Sequence, residues 1–127
     1  MDDLIEFLKA RIEEDEARAR YASPGPWYAN AEFDEVLAVD GITVADGFAL
    51  SGNQLRATIA HIARHDPART LREVDAKRRT IEIFVRRYKA SKPGMAEGAH
   101  FVMLINTLRL LAMPYADHPD YREEWRP

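Results

Sequence analysis

Three histidines are the residues of this sequence whose type and spacing best suit a metal site. His61 and His65 lie four positions apart, so on a helix both imidazoles leave the same face, and neutral imidazole is a good ligand for zinc. His118 could complete the site if the C-terminal segment folds back. The spacing lacks the glutamate of the zinc metalloprotease motif, because Ile62 follows the first histidine. The alternative is that His65 caps the end of a helix, where positive charge is favoured.

An enzyme built on these histidines is one function that the sequence leaves open. Asp117 directly precedes His118, and the pair could act as an orienting carboxylate and a general base. The sequence contains no glycine-rich phosphate loop and no Gly-x-Ser-x-Gly elbow. It also contains no cysteine, which excludes a thiolate nucleophile, a disulfide framework and sulfur-ligated metal. We expect no cofactor.

Basic residues concentrate in the middle of the chain. Residues 51–92 carry a net charge of +7, whereas residues 1–50 carry −8. A row of arginines on one helix face would bind successive phosphates of a nucleic acid through counterion release, and the candidates are Arg69, Arg72, Arg79 and Arg86. Nucleic acid is possible but not favoured, because the whole chain is acidic at −3 and the presumed recognition helix is too long. The alternative is that an acidic N-terminal helix neutralises the basic helix within one fold.

The elements that must position these residues are four helices and a small sheet. Apolar residues at helical spacing, bounded by proline and glycine, predict helices over residues 2–22, 53–65, 67–91 and 96–113. Asn53 is a possible N-cap of the second helix, and Asp66-Pro67 suits the start of the third. Residues 27–50 change to a β-branched pattern.

The β-branched segment predicts an antiparallel meander. Asp40-Gly41 interrupts a run of valine and isoleucine and is typical of a hairpin turn, and an edge strand at residues 27–29 would add to it. The fold class is therefore α+β: an N-terminal helix, a small antiparallel β-meander, then three helices and an ordered aromatic tail over residues 115–127. A single domain over residues 1–127 is expected.

The last helix is apolar nearly all round, which is typical of a helix buried centrally or against a partner chain. One side satisfies a core stripe, with Phe101, Leu104, Ile105, Leu108 and Leu111. The other side still needs a cover, and it carries Val102, Met103, Leu110 and Met113. We predict an interface at Met103, Leu110 and Met113, for a second copy or another protein.

Several strings resemble a family of small actinobacterial and actinophage proteins, DUF6221, whose function is unknown. These strings are Pro24-Gly25-Pro26-Trp27, residues 61–69 with Leu71-Arg72-Glu73-Val74 behind them, and residues 115–121 with Trp125-Arg126-Pro127. The resemblance implies a bacterial cytoplasmic or phage-encoded setting and no mechanism.

The function expected from the sequence is a non-catalytic interaction or regulatory module. A metal-binding protein or small metal-dependent enzyme is the first alternative, and a polyanion-binding protein is the second. A cytoplasmic location away from membranes is expected, because Met1-Asp2-Asp3 is acidic where a signal peptide needs basic residues and no apolar run is long enough to span a bilayer.

Overall fold

The computed structural model describes residues 1–91 and 98–127, and it has the predicted α+β element order. The helices are α1 (Asp2–Tyr21), α2 (Gly52–Arg64), α3 (Pro67–Ala90) and α4 (Ala99–Ala112). The strands are β1 (Tyr28–Ala29), β2 (Glu35–Leu37) and β3 (Thr43–Asp46), and the tail contains 3₁₀ turns at Met113–Tyr115 and Glu123–Trp125. The predicted break at Lys92-Pro93-Gly94 and the predicted helix start at residue 96 lie outside the described residues.

The contacts group the described residues into two compact units. The first unit contains Met1–Glu14 and Asp75–Pro127, and the second contains Asp15–Val74. Helices α1 and α3 each contribute residues to both units. The single domain over residues 1–127 stays a prediction.

The sheet of the second unit is the predicted meander, with strand order β1-β2-β3 and antiparallel pairing throughout. Gly41 takes a φ of +82°, the conformation that Asp-Gly supplies to a tight turn, and its N–H donates to the carbonyl of Ala38. Helix α2 packs on β1 and β2, where it buries Ile59 completely together with Val36. These contacts hold the sheet on one side of α2.

The start of α2 differs in one detail from the prediction. The N-cap of α2 is Ser51 and not Asn53, because the helix begins at Gly52. The other end is as expected, since His65 is the C-cap of α2 and Pro67 is the first residue of α3. The side chain of Asp66 caps α3 by accepting the N–H of Arg69 at 2.8 Å.

The core of the first unit lies among α1, α3 and α4. The apolar stripe of α1 is buried as predicted, with Leu4, Ile5, Leu8 and Ile12. Between α3 and α4, the ring of Phe101 lies 6.3 Å from the ring of Phe84 and 5.7 Å from that of Tyr88. Within the described residues, none of the helices is long and apolar enough to cross a membrane.

Candidate interaction surface

One side of α4 carries large apolar side chains that remain open to solvent. The exposed fractions are 50% for Val102, 61% for Met103, 56% for Leu110 and 50% for Met113. The opposite side buries Phe101, Leu108 and Ala112. The structure therefore places all three predicted interface residues on the uncovered side, although their binding role stays a prediction.

These side chains form one stripe along the helix axis. At about 100° per residue, the stripe spans about 100° and also includes Ala99 and Asn106, both exposed. Met113 continues it because this residue keeps helical backbone angles of −52° and −43°. We call the stripe the α4 surface, and its members are Ala99, Val102, Met103, Asn106, Leu110 and Met113.

The α4 surface is uncharged. Asn106 is its polar member, and the neighbouring Thr107 hydroxyl donates to the carbonyl of Met103 at 3.0 Å. That bond satisfies the hydroxyl within the helix and lowers the cost of covering it. A partner that covers this stripe would therefore remove apolar surface from water without removing a charge.

The C-terminal tail folds onto α1 around Phe7. The Phe7 ring lies 6.4 Å from the ring of Tyr115, 6.0 Å from that of Tyr121 and 5.0 Å from that of Trp125. Phe7 and Trp125 are each only 7% exposed. The prediction that the aromatic tail packs on the protein is confirmed, and the contact with Phe7 is the part that sequence reasoning missed.

His118 belongs to this tail cluster, and its ring contacts the part-buried guanidinium of Arg11. Nη1 of Arg11 lies 2.9 Å from Nδ1 and 2.6 Å from Nε2 of His118, while Nδ1 accepts the N–H of Asp120 at 3.0 Å. A guanidinium has only donors, so a ring nitrogen of His118 is the acceptor in this contact. A metal ion at His118 would have to displace Arg11.

The other two predicted metal ligands meet each other in the second unit. The rings of His61 and His65 have centroids 4.2 Å apart, and Nδ1 of His65 lies 2.8 Å from the carbonyl oxygen of His61. Both side chains are exposed, whereas His118 belongs to the first unit. Across residues 1–91 and 98–127, no three His, Asp or Glu side chains are grouped to hold a metal ion. The site at His61, His65 and His118 stays a prediction.

Two of the four predicted phosphate-binding arginines are engaged within α3. Arg69 pairs with Glu73 at 2.9 Å, and Arg79 pairs with Asp75 at 3.0 Å. Arg72 is exposed, and Arg86 lines a cavity of about 410 Å³ between α1 and α3. Neighbouring carboxylates therefore neutralise part of the predicted basic row, whose binding role stays a prediction.

This pairing predicts weak binding to polyanions. We expect the protein to bind mixed-sequence DNA with a Kd above about 100 µM even at low salt, and to lose that binding as salt rises. The variant Glu73→Gln with Asp75→Asn frees both arginines, so it should bind tighter and show a steeper salt dependence. Fluorescence anisotropy between about 20 and 200 mM salt measures both effects. Tight, salt-dependent binding by the unmodified protein would contradict this expectation and support the polyanion function.

The 410 Å³ cavity has an apolar floor and a rim of mixed charge. Ile12, Ile81 and Val85 form the floor, and the charged lining residues are Lys9, Glu13, Arg78, Glu82 and Arg86. Binding sites for small molecules usually add a few convergent polar groups to an apolar pocket. Here the lining carries charges of both signs, so the cavity does not indicate a particular substrate.

The whole chain matches one family of proteins. The sequence profile of DUF6221, described as a family of unknown function, matches residues 1–127. The chain belongs to DUF6221. No curated protein and no solved structure matches it. Membership of DUF6221 supplies no activity, so the function has to be argued from the chain's own residues.

Two of the strings that resembled DUF6221 meet in space in the second unit. The N–H of Trp27 donates to Oδ2 of Asp66 at 2.9 Å, so one carboxylate holds the Pro24–Trp27 turn and caps α3. A Cβ atom on Gly25 would lie 2.8 Å from Cβ of Ala68, which explains why glycine suits this close approach. The capping role of Asp66 was predictable from Asp66-Pro67, but its bond to Trp27 joins residues far apart in the chain.

Proposed function

We propose that this protein is a non-catalytic interaction module that binds its partner through the α4 surface. The observation that supports the proposal is the group of four large apolar side chains on one helix side, each half or more exposed. Contiguous apolar patches of this kind are typical of protein–protein contact sites. An actinobacterial or phage setting and a cytoplasmic location belong to the proposal as well.

The composition of the surface fits a binding role. Two of its members are methionines, whose flexible and polarisable side chains adapt to a partner's shape. Covering the four large side chains would contribute several kcal/mol before the cost of association is subtracted. That gain is enough for a modest affinity and matches a regulatory or accessory protein that binds reversibly.

Photo-crosslinking tests this proposal with a matched control on another helix. A benzophenone amino acid replaces Val102, which is 50% exposed, or Ile83 on α3, which is 51% exposed. In the cell that naturally makes the protein, we expect the probe at position 102 to give a discrete adduct at least about tenfold stronger than the probe at 83, if the site contributes more than about 1.4 kcal/mol.

A second substitution ties the adduct to the surface. Leu110→Asn removes apolar area about two helical turns from the probe at Val102 and should reduce the adduct without changing the melting temperature. Equal labelling at positions 102 and 83, or no adduct at either, would show that the α4 surface binds no protein.

A further inference from the structure

We infer that the partner of the α4 surface is a second copy of this chain, with the two α4 helices packed antiparallel. This inference rests on the proposed function and names the partner of the same surface. It is carried by the order of side chains along the helix, which is complementary to itself when reversed.

The α4 surface is arranged around Asn106 as its centre. Val102 lies four residues before Asn106, and Leu110 lies four residues after it. In an antiparallel pair with a two-fold axis at Asn106, Val102 faces Leu110 of the second copy, and the reverse contact is identical. Both are exposed aliphatic side chains, so the two-fold axis produces two identical apolar contacts.

The two ends of the surface complement each other in side-chain size. Ala99 lies seven residues before Asn106, and Met113 lies seven residues after it, so the antiparallel pair sets the smallest member against a long one. Met103 lies opposite Arg109 of the second copy, which is half-buried with its Nε atom inside the protein. At the two ends of the pair a long side chain therefore meets a small one, which allows helices to approach to the usual 8–10 Å or so between axes.

The centre of the pair is also self-complementary. Asn106 carries both donors and an acceptor, so two copies of its amide can hydrogen-bond across a two-fold axis. A single asparagine in an apolar helix seam is a known means of specifying register and number of helices. The exposed position of Asn106 among apolar residues is explained by this role.

Electrostatics permits two like-charged copies to meet here. The chain has a net charge of −3, but the α4 surface itself is uncharged. The basic residue in the last turn of α4 is Arg109, and its two copies would be separated by about 9 Å along the axis, since they lie six residues apart in register at 1.5 Å each. Their repulsion is modest at that distance in solvent.

The area of the surface limits the strength of the dimer. An apolar patch of this size is on the order of a few hundred Å², whereas a stable interface buries about 800 Å² from each partner. We therefore expect a reversible dimer with a Kd between about 1 µM and 1 mM. Sedimentation equilibrium over that concentration range should show monomer and dimer, and a strict monomer at about 1 mM would overturn the inference.

A pair of introduced opposite charges tests the antiparallel register. Val102→Asp and Leu110→Lys should each weaken the dimer at least tenfold when made alone. The double variant should restore it, because each aspartate then faces a lysine of the second copy. The two positions are eight residues apart on one helix, so the rescue cannot arise within a single chain. Failure of the double variant to dimerise while it keeps the parent's melting temperature would reject this register.

Disulfide trapping tests the same register without placing a charged side chain in the α4 surface. The chain contains no cysteine, so Asn106→Cys introduces a single thiol at the proposed axis, and Ile83→Cys is the matched exposed control. We expect covalent dimer to form at least tenfold faster at position 106, where the Cα atoms approach disulfide distance. Equal rates at the two positions would overturn the inference.

The outcomes separate this inference from the proposed function. A strict monomer whose position 102 still crosslinks to a different protein would reject the second copy and keep the interaction function. A monomer with no adduct at position 102 would reject both.

Discussion

Replacing Phe7 by alanine is expected to lower the free energy of unfolding by about 3–5 kcal/mol. The Phe7 ring is 7% exposed and lies at the centre of the cluster that joins α1 to the tail, within 6.4 Å of four aromatic rings. Its removal would leave a cavity that the remaining rings cannot fill without moving. Chemical denaturation monitored by tryptophan fluorescence measures the loss, and Trp125 reports on the cluster itself.

Phe48 provides the matched control for this prediction. It is 97% exposed, so Phe48→Ala should change the free energy of unfolding by less than about 0.5 kcal/mol. A double-mutant cycle between Phe7→Ala and Trp125→Ala should give a coupling energy of about 0.5–1.5 kcal/mol, since the two rings are in direct contact. A loss of less than about 1 kcal/mol for Phe7→Ala would show that the tail does not depend on this ring.

The tail shows how far sequence reasoning reached in the first unit. The high aromatic content after residue 115 was enough to predict that the tail packs on the protein, because apolar area of that size is costly to expose. The docking position was not predictable. Phe7 lies three residues after Leu4, so helical periodicity indicates only that it faces the interior and not which residues it contacts. Its aromatic ring was the available signal, and it needed a partner more than 100 residues away.

Helix boundaries and the hairpin turn were predictable because local residues determine them. Proline and glycine end the helices, and Asp40-Gly41 provides the turn between β2 and β3. The strands are shorter than the β-branched pattern suggested: Val39 and Ile42 lie between them and are 54% and 59% exposed. Their β-branched side chains favoured extended structure, but the turn from Ala38 to Ile42, closed by the Ala38 N–H on the Ile42 carbonyl, uses those positions for the reversal of the chain.

The α4 surface was predictable for a different reason. A helix has one core-facing side, so a second apolar side in a short chain must face either another element or a partner, and the structure leaves it exposed. The histidine site depends on a different kind of information and stays a prediction. It requires the path of the tail, which brings the His118 ring to Arg11. Spacing on one helix predicts a shared face, but ligands from distant segments depend on long-range packing.

Asp66→Ala is expected to lower the free energy of unfolding by about 2–4 kcal/mol, the second largest effect among these predictions. Asp66 is 6% exposed, and its two oxygens accept the N–H groups of Arg69 and Trp27. Alanine would remove the cap of α3 and leave the Trp27 N–H without its acceptor. Thermal and chemical denaturation measure the loss of stability.

Two further variants determine whether both hydrogen bonds of Asp66 matter. Asp75→Ala removes an exposed carboxylate that makes a surface ion pair with Arg79, so its cost should stay below about 0.5 kcal/mol. Asp66→Asn keeps one oxygen acceptor but presents an amide N–H₂ to the other donor. We expect its free energy of unfolding to lie between those of the wild type and the alanine variant. If Asp66→Ala cost no more than Asp75→Ala, the carboxylate would not join the Pro24–Trp27 turn to α3. An asparagine variant as stable as the wild type would instead show that a single acceptor is sufficient.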